Sequence, residues 1–349
     1  MTAKPLRVGL IGLGAQGRTH ISCLRQLDQG LARIVGLCDL SATTLATAGE
    51  HVPDARTETD YRRLLDSVAL DLVIISTMPH SHEEICCATF EHGIHVLCEK
   101  PFAPDAGQVR RILDAADHHG CQVQLGTNMR YMPRATHLRA LIGSGRIGTP
   151  LQCLVRGVQG NPPLWGMHHH RAASGGGVLA ASTLHNLDLA MWISGSPAPV
   201  SVCATMHTQF PAKRGKLMPA DSPGSYDVED LLAALVRFDD GSTFLIEGNW
   251  CEDVKPTRVG FELVTTKGTV GSNPFFVARD VDGEPVDETP ALPANDWSQS
   301  IRDQNLDVIT RILEERPLEM HDAHQLLSLQ RVIDGCYESA SRGREVACG

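Results

Sequence analysis

At 349 residues the chain is too long for one ordinary hydrophobic core, and its length predicts about two domains. A hydrophobic fraction of 42% beside 21% charged residues is that of a soluble globular protein, and aromatics at 5% are too sparse for a base-stacking surface. The formal net charge of -10 offers no electrostatic footprint for polyphosphate, which sets aside nucleic acid and anionic membranes as main partners.

In chain order, short apolar runs alternate with amphipathic stretches over the first 125 residues. Leu6–Ile11, Ala32–Cys38, Leu70–Ser76, His95–Cys98 and Cys121–Leu125 read as buried strands without a polar alternate face. Between them Gln16–Asp28, Ala42–Glu50, Tyr61–Asp66, His82–Glu91 and Asp105–His118 read as helices, with Gly93 and Gly120 placed as C-terminal caps. This alternation predicts βαβ units and a parallel sheet, a Rossmann-like α/β domain over residues 1–125. A second, α+β domain is expected over 126–349, with the C-terminal helix able to pack back on the first.

Past the link Gly143-Ser144-Gly145-Arg146, Leu151–Val158 reads as a strand, followed by a Pro/His/Gly-rich loop from Asn161 to Gly177. A strongly apolar helix is expected over Val178–Ile193, closed by Gly195 and Pro197. Antiparallel strands are expected at Val200–Gln209, Asp230–Phe238, Thr243–Glu252 and Val259–Thr266, with hairpin turns at Asp239–Ser242 and Lys267-Gly268. Residues 211–225 lack periodicity and are expected to form a mobile loop, and helices at Trp297–Glu315 and His321–Ser341 close the chain.

The eleven cysteines include one adjacent pair, Cys86-Cys87, and no C-x-x-C spacing, so reduced thiols are expected rather than a zinc or redox motif. The first apolar run, Val8–Leu13, is too short for a signal or membrane segment, and a cytoplasmic protein is expected.

The chemistry begins at Gly12-Leu13-Gly14-Ala15-Gln16-Gly17, which follows the first strand and opens the first helix. Gly12 allows the tight turn, Gly14 the approach of a pyrophosphate, and Gly17 close helix–strand packing. The helix N-terminus, at Gly14, Ala15 and Gln16, turns unpaired N–H groups toward the diphosphate. Asp39 ends the second strand 22 residues after Gly17, where its carboxylate binds a ribose 2′-hydroxyl and repels a 2′-phosphate. NAD is therefore the expected cofactor, although Ser41 and nearby arginines leave NADP open. Glu99-Lys100-Pro101 closes the strand His95–Cys98, the edge at which open parallel sheets bind ligands. Pro101 restricts the backbone at Lys100.

With these motifs the sequence resembles the glucose–fructose oxidoreductase, inositol dehydrogenase and rhizopine catabolism family, Gfo/Idh/MocA. The resemblance covers nearly the whole chain. It rests on Gly12–Gly17, Thr77-Met78-Pro79-His80-Ser81-His82, Glu99-Lys100-Pro101, Asn128-Met129-Arg130-Tyr131, Ser174-Gly175-Gly176-Gly177 and His185-Asn186-Leu187-Asp188. It implies a Rossmann domain followed by an α+β domain with a large, mostly antiparallel open sheet, through which such proteins form homodimers or homotetramers. It further implies that Lys100 contacts the reacting oxygen and the nicotinamide side of the cofactor, that His185 is the general acid/base, and that Thr77, Pro79, His82 and Glu99 line the cofactor. Two departures stand out. Many family members carry Asp four residues before the histidine, where this chain has Ala181, which puts a plain inositol-type polyol in doubt. The usual Thr-Pro-Asn is replaced by Thr77-Met78-Pro79.

Asn128, Arg130, Trp165 and Asp188 are weaker candidates for contact with substrate; packing, hinge or capping roles fit Arg130 and Asp188 equally well. Three adjacent histidines at 168–170 cannot all face one ion, so no metal is expected, and a substrate-lining loop and a plain exposed loop fit them equally well. Three functions follow. The leading one is an NAD(P)-dependent oxidoreductase acting on a CH–OH or keto carbon of a sugar, cyclitol or sugar derivative. The others are glycoside cleavage assisted by a retained NAD, and a non-catalytic dinucleotide-sensing regulator.

Overall fold

The computed structural model describes residues 4–163, 167–217, 226–253 and 257–348. The chain divides into two compact units. The first comprises residues up to Ala103, then Gly107–Tyr131 and Asp296–Ala323; the second comprises Pro104–Ala106, Met132–Asn295 and the chain from His324 onward.

The first unit is built on a six-stranded sheet of β1 (Leu6–Ile11), β2 (Ala32–Cys38), β3 (Arg56–Glu58), β4 (Leu72–Ile75), β5 (His95–Cys98) and β6 (Val123–Leu125), in the order β3-β2-β1-β4-β5-β6. Every pairing is parallel. All four residues of β4 are buried, as are Val8, Leu10 and Leu97 of its neighbours, because helices cover both faces. This explains the unbroken apolar runs of the sequence. Each fully buried Val or Leu contributes about 1.5–3 kcal/mol. The helix Trp297–Leu313 completes this core: Val308 and Ile309, with Leu318 beyond it, lie in one cluster with Leu6, Val8 and Leu10. Asp296 caps that helix by accepting the N–H of Gln299 at 2.8 Å.

The second unit carries a nine-stranded sheet, mostly antiparallel. Its strands are β7 (Pro150–Val158), β8 (Pro199–His207), β9 (Leu231–Phe238), β10 (Thr243–Asn249), β11 (Arg258–Thr265), β12 (Gly268–Ser272), β13 (Phe275–Val281), β14 (Glu284–Asp287) and β15 (Val346–Ala347). The order is β14-β13-β12-β11-β7-β10-β9-β8-β15, and only β7 and β10 run parallel. Burial alternates along β9 and β10, so one face is covered and the other bears Leu235 and Leu245. The single helix expected over Val178–Ile193 is in fact a π-helical turn, Val178–Thr183, running into an α-helix, Leu184–Ile193. Two glycines admit that turn to the sheet. Gly157 of β7 and Gly248 of β10 are cross-strand partners, and a Cβ on either would come within 2.3 Å and 2.9 Å of the Thr183 hydroxyl. Of the region expected to be a loop at 211–225, Phe210–Arg214 is helical and Gly215–Leu217 a further turn, whereas 218–225 lie outside the described residues. Among the described residues no helix is long and apolar enough to cross a membrane.

Candidate functional site

At the carboxyl edge of the six-stranded sheet, Gly12 takes φ 89° and packs against the end of β4, where a Cβ would lie 2.7 Å from the Ser76 carbonyl. Ser76 Oγ donates to the Gly12 carbonyl at 2.6 Å, fixing the turn. A Cβ at Gly17 would lie 2.1 Å from the same carbonyl, so the helix Ala15–Arg25 reaches this depth only with glycine there. Gly14 differs: a Cβ would meet nothing within 4 Å, so that side of the turn is open. Gly14 is also the N-cap, with no side-chain cap and no acidic residue in the first turn, so the helix keeps its first N–H groups and partial positive charge for an anion.

Asp39 follows β2 and bridges to this turn. Its carboxylate accepts the N–H of Leu13 at 2.7 Å and of Ser41 at 2.8 Å. Leu40, next to it, is 93% exposed, an apolar side chain standing at the ligand edge that the sequence reading passed over. An open glycine turn, an uncapped helix start and a carboxylate beside them fit a dinucleotide with a free ribose 2′-hydroxyl.

Glu99 and His82, expected along the cofactor, have inward-turned side chains. Glu99 is 4% exposed and accepts from Gln16 Nε2 at 3.0 Å, with His20 Nε2 at 3.0 Å on the same oxygen. Burial alone would raise its pKa, but His20, Lys100 and Gln16 together hold it below the ordinary carboxylate value. Gln16, expected to face the diphosphate, thus engages Glu99 through its side chain. His82 is fully buried, its Nδ1 3.0 Å from the Pro101 carbonyl and its Nε2 3.1 Å from that of Thr77. It clamps the loop after β4 to the loop after β5 from below. Thr77 Oγ1 accepts from Ser81 Oγ at 2.9 Å, and the buried Pro79 opens the turn Pro79–Ser81. Lys100 is partly buried above Glu99; burial pushes its ammonium pKa down, and Glu99 opposes this.

Asn128 and Arg130, expected at the substrate, are buried against the returning chain of the same unit. Asn128 Nδ2 donates to Ser300 Oγ at 2.7 Å, and Arg130 donates to the Met320 carbonyl at 2.5 Å. Both are side chains of the core. His321, which the sequence did not single out, is buried beside them with Nε2 2.7 Å from Thr127 Oγ1.

In the second unit His185 lies one residue into the α-helix that follows the π turn. Among residues 178–190 only Ala181, Ser182 and His185 are not buried, so the three form the open side of an otherwise enclosed segment. Ser182 Oγ accepts from the Trp250 indole N–H at 2.9 Å. Asp188 is buried, on the closed side. His169 and His170 are also buried, with ring centroids 4.2 Å apart; burial and the His170 neighbour push the His169 pKa down. Trp165 lies outside the described residues. Among the described residues no group of three or more His, Cys, Asp or Glu is placed to hold a metal ion.

The Rossmann sheet with its open glycine turn and the acidic strand end define an NAD-binding oxidoreductase. Residues 6–127 match the oxidoreductase family with an NAD-binding Rossmann fold, and residues 135–271 match the GFO/IDH/MocA C-terminal domain. The chain belongs to the GFO/IDH/MocA family. It is 26% identical to the D-glucoside 3-dehydrogenase of Escherichia coli (strain K12), over 99% of this chain and 98% of that one. It is 31% identical to an inositol 2-dehydrogenase of Corynebacterium glutamicum (strain R), over 56% of each chain. In fold it is similar to a levoglucosan dehydrogenase solved with NADH and levoglucosan, with a TM-score of 0.86 and 22% identity over 99% of this chain and 100% of that one.

Proposed function

We propose that the protein transfers hydride between a nicotinamide and a hydroxyl or keto carbon of a sugar, cyclitol or sugar derivative, with Lys100 and His185 as the catalytic pair. The observation that carries this reading is the open side of residues 178–190, where His185 is the one titratable group. Relatives named as a glucoside and an inositol dehydrogenase support the substrate class.

The glycine turn and Asp39 would hold NAD, which would supply the hydride acceptor. The protein does the rest. The His185 imidazole takes the hydroxyl proton as the carbon is oxidised and returns it in the reverse direction. The Lys100 ammonium donates to the same oxygen and stabilises its developing negative charge, at a position where burial strengthens the interaction. Asp39 opposes a 2′-phosphate, which favours NAD over NADP. Ala181 puts a methyl group beside His185 on the open side, so this wall suits a substrate with a less polar or substituted carbon there better than a plain polyol.

For the assembly, we assign a homodimer or homotetramer formed through the uncovered face of the nine-stranded sheet. Leu235, Leu245 and Leu154 are lateral neighbours on that face, and beside them Arg156 pairs with Glu247 and Glu262. Light scattering that found only monomer at micromolar concentration would remove this assignment. Eleven free thiols agree with a reducing, cytoplasmic setting.

The function is tested by nicotinamide absorbance with NAD and with NADP across sugars, cyclitols and glycosides. Reduced cofactor appearing with one substrate class, and lost in Lys100→Ala and His185→Ala, is the expected result. Tight cofactor binding with no turnover on any substrate would overturn it. Glycoside cleavage without net reduced cofactor would replace it with the retained-NAD reading.

A further inference from the structure

The segment that carries His185 begins at Gly175-Gly176-Gly177, and its first N–H groups have no partner within the helix itself. One residue of β9's approach takes three of them. The Glu229 carboxylate accepts the N–H of Gly177 at 2.9 Å on one oxygen and that of Leu179 at 2.9 Å on the other. The Glu229 main-chain carbonyl accepts the N–H of Val178, between them, also at 2.9 Å. A fourth donor, Tyr337 Oη, reaches the carboxylate at 3.0 Å from the helix Ala323–Arg342. Glu229 is buried and Tyr337 half-buried, and the Arg171 guanidinium lies 4.3 Å from the Tyr337 ring centroid.

The glycines follow from this seat. A Cβ at Gly176 would lie 1.7 Å from Tyr337 Oη, and one at Gly177 would lie 1.9 Å from the Glu229 carbonyl. The Gly-Gly run is thus the footprint of Glu229 and Tyr337 on the start of the His185 segment.

We propose that Glu229 and Tyr337 are positioning residues for His185: together they fix the axial position and rotation of the segment that presents Ala181, Ser182 and His185. The inference rests on the catalytic reading of His185. Both carboxylate oxygens face donors, which only an acceptor on each side satisfies. In Glu229→Gln the amide must turn its NH2 toward the N–H of Gly177 or that of Leu179, so donor meets donor whichever way it flips. The segment then shifts to relieve it. Tyr337→Phe removes one donor and leaves the two N–H bonds in place, a milder change.

The test uses the full chain with three readouts. Thermal unfolding checks that Glu229→Gln and Tyr337→Phe are folded, and a dinucleotide titration checks that the first unit binds as before. The imidazole 15N resonances of His185, assigned with His185→Asn, report its setting without turnover. The expected result is an unchanged dinucleotide affinity, shifted His185 resonances, and a kcat reduced by about 10²-fold in Glu229→Gln with a smaller loss in Tyr337→Phe. If Glu229→Gln does not fold, Tyr337→Phe carries the same readouts. Unshifted His185 resonances in folded variants overturn the proposal whatever the activity. Wild-type turnover in His185→Asn would instead remove the catalytic reading of His185, and the resonances would still decide whether Glu229 and Tyr337 position it.

Discussion

The carboxylate of Asp39 accepts the main-chain N–H of Leu13 at 2.7 Å, joining the end of β2 to the turn that follows β1. The same carboxylate is the acceptor a ribose hydroxyl requires. A hydrogen bond to a charged group is worth about 1.5–3 kcal/mol, so Asp39→Ala is expected to weaken NAD about 10- to 100-fold. NADP affinity should change far less, because the variant also removes a repulsive charge. Calorimetric titration of both nucleotides checks this, and equal losses for the two would show that Asp39 does not read the ribose.

Gly14 and Gly177 make opposite predictions. At Gly14 a methyl group has open space, so Gly14→Ala should unfold at the wild-type temperature yet bind NAD more weakly, because the added carbon occupies the diphosphate's approach. At Gly177 a methyl group collides with the Glu229 carbonyl, and Gly177→Ala should lose about 1–3 kcal/mol or more of stability. Thermal unfolding of the pair separates them; equal unfolding temperatures would contradict the packing.

His321 sets a pH dependence of stability. Burial, helped by Arg130, holds its pKa well below the ordinary value near 6.5, so the folded chain leaves it neutral. Below about pH 6.5 the unfolded chain takes up a proton that the folded chain refuses, and stability therefore falls as pH drops. The slope for this one group approaches about 1.4 kcal/mol per pH unit. His321→Gln removes it. Urea unfolding at pH 7 and pH 5.5 should show the wild type losing more stability than the variant across that interval, and identical losses would refute a neutral His321.

Lys100→Met should fold normally, since Lys100 sits above the buried Glu99 rather than in the aliphatic core, and should lose about 10²–10³-fold in kcat. Turnover within a few-fold of wild type would end its assignment to the reacting oxygen.

The first unit was largely legible because its strands are buried on both faces and its turns follow glycine chemistry. Leu6–Ile11 and Ala32–Cys38 were read with their observed bounds. β3 was invisible: Arg56-Thr57-Glu58 is a polar edge strand with no apolar signal. The hairpin of β13 and β14 was missed although Asp282-Gly283, both at positive φ, is the Asp-Gly turn that marks such hairpins. For the candidate site, residue type singled out the glycines, Asp39, Lys100 and His185, but it could not tell which polar side chains turn inward. Glu99, His82, Asn128 and Arg130 are held by partners such as His20, Ser300 and Met320, most of them far away in sequence. Glu229 and Tyr337 carry no local motif, and their importance shows only through the glycines they press upon.

The order in which this chain is synthesised differs from the order in which its nucleotide-binding half is assembled. Leu6, Val8 and Leu10 share a core with Val308, Ile309 and Leu318. A ribosome that has released every strand of the parallel sheet has therefore still to deliver part of the hydrophobic filling that covers it. The nascent first unit waits, with an apolar flank uncovered, while the whole nine-stranded sheet save its final strand is made. Completion of the first unit's core is thus coupled in time to synthesis of the nine-stranded sheet, and prematurely terminated chains are left with an exposed flank that quality-control proteases and chaperones recognise.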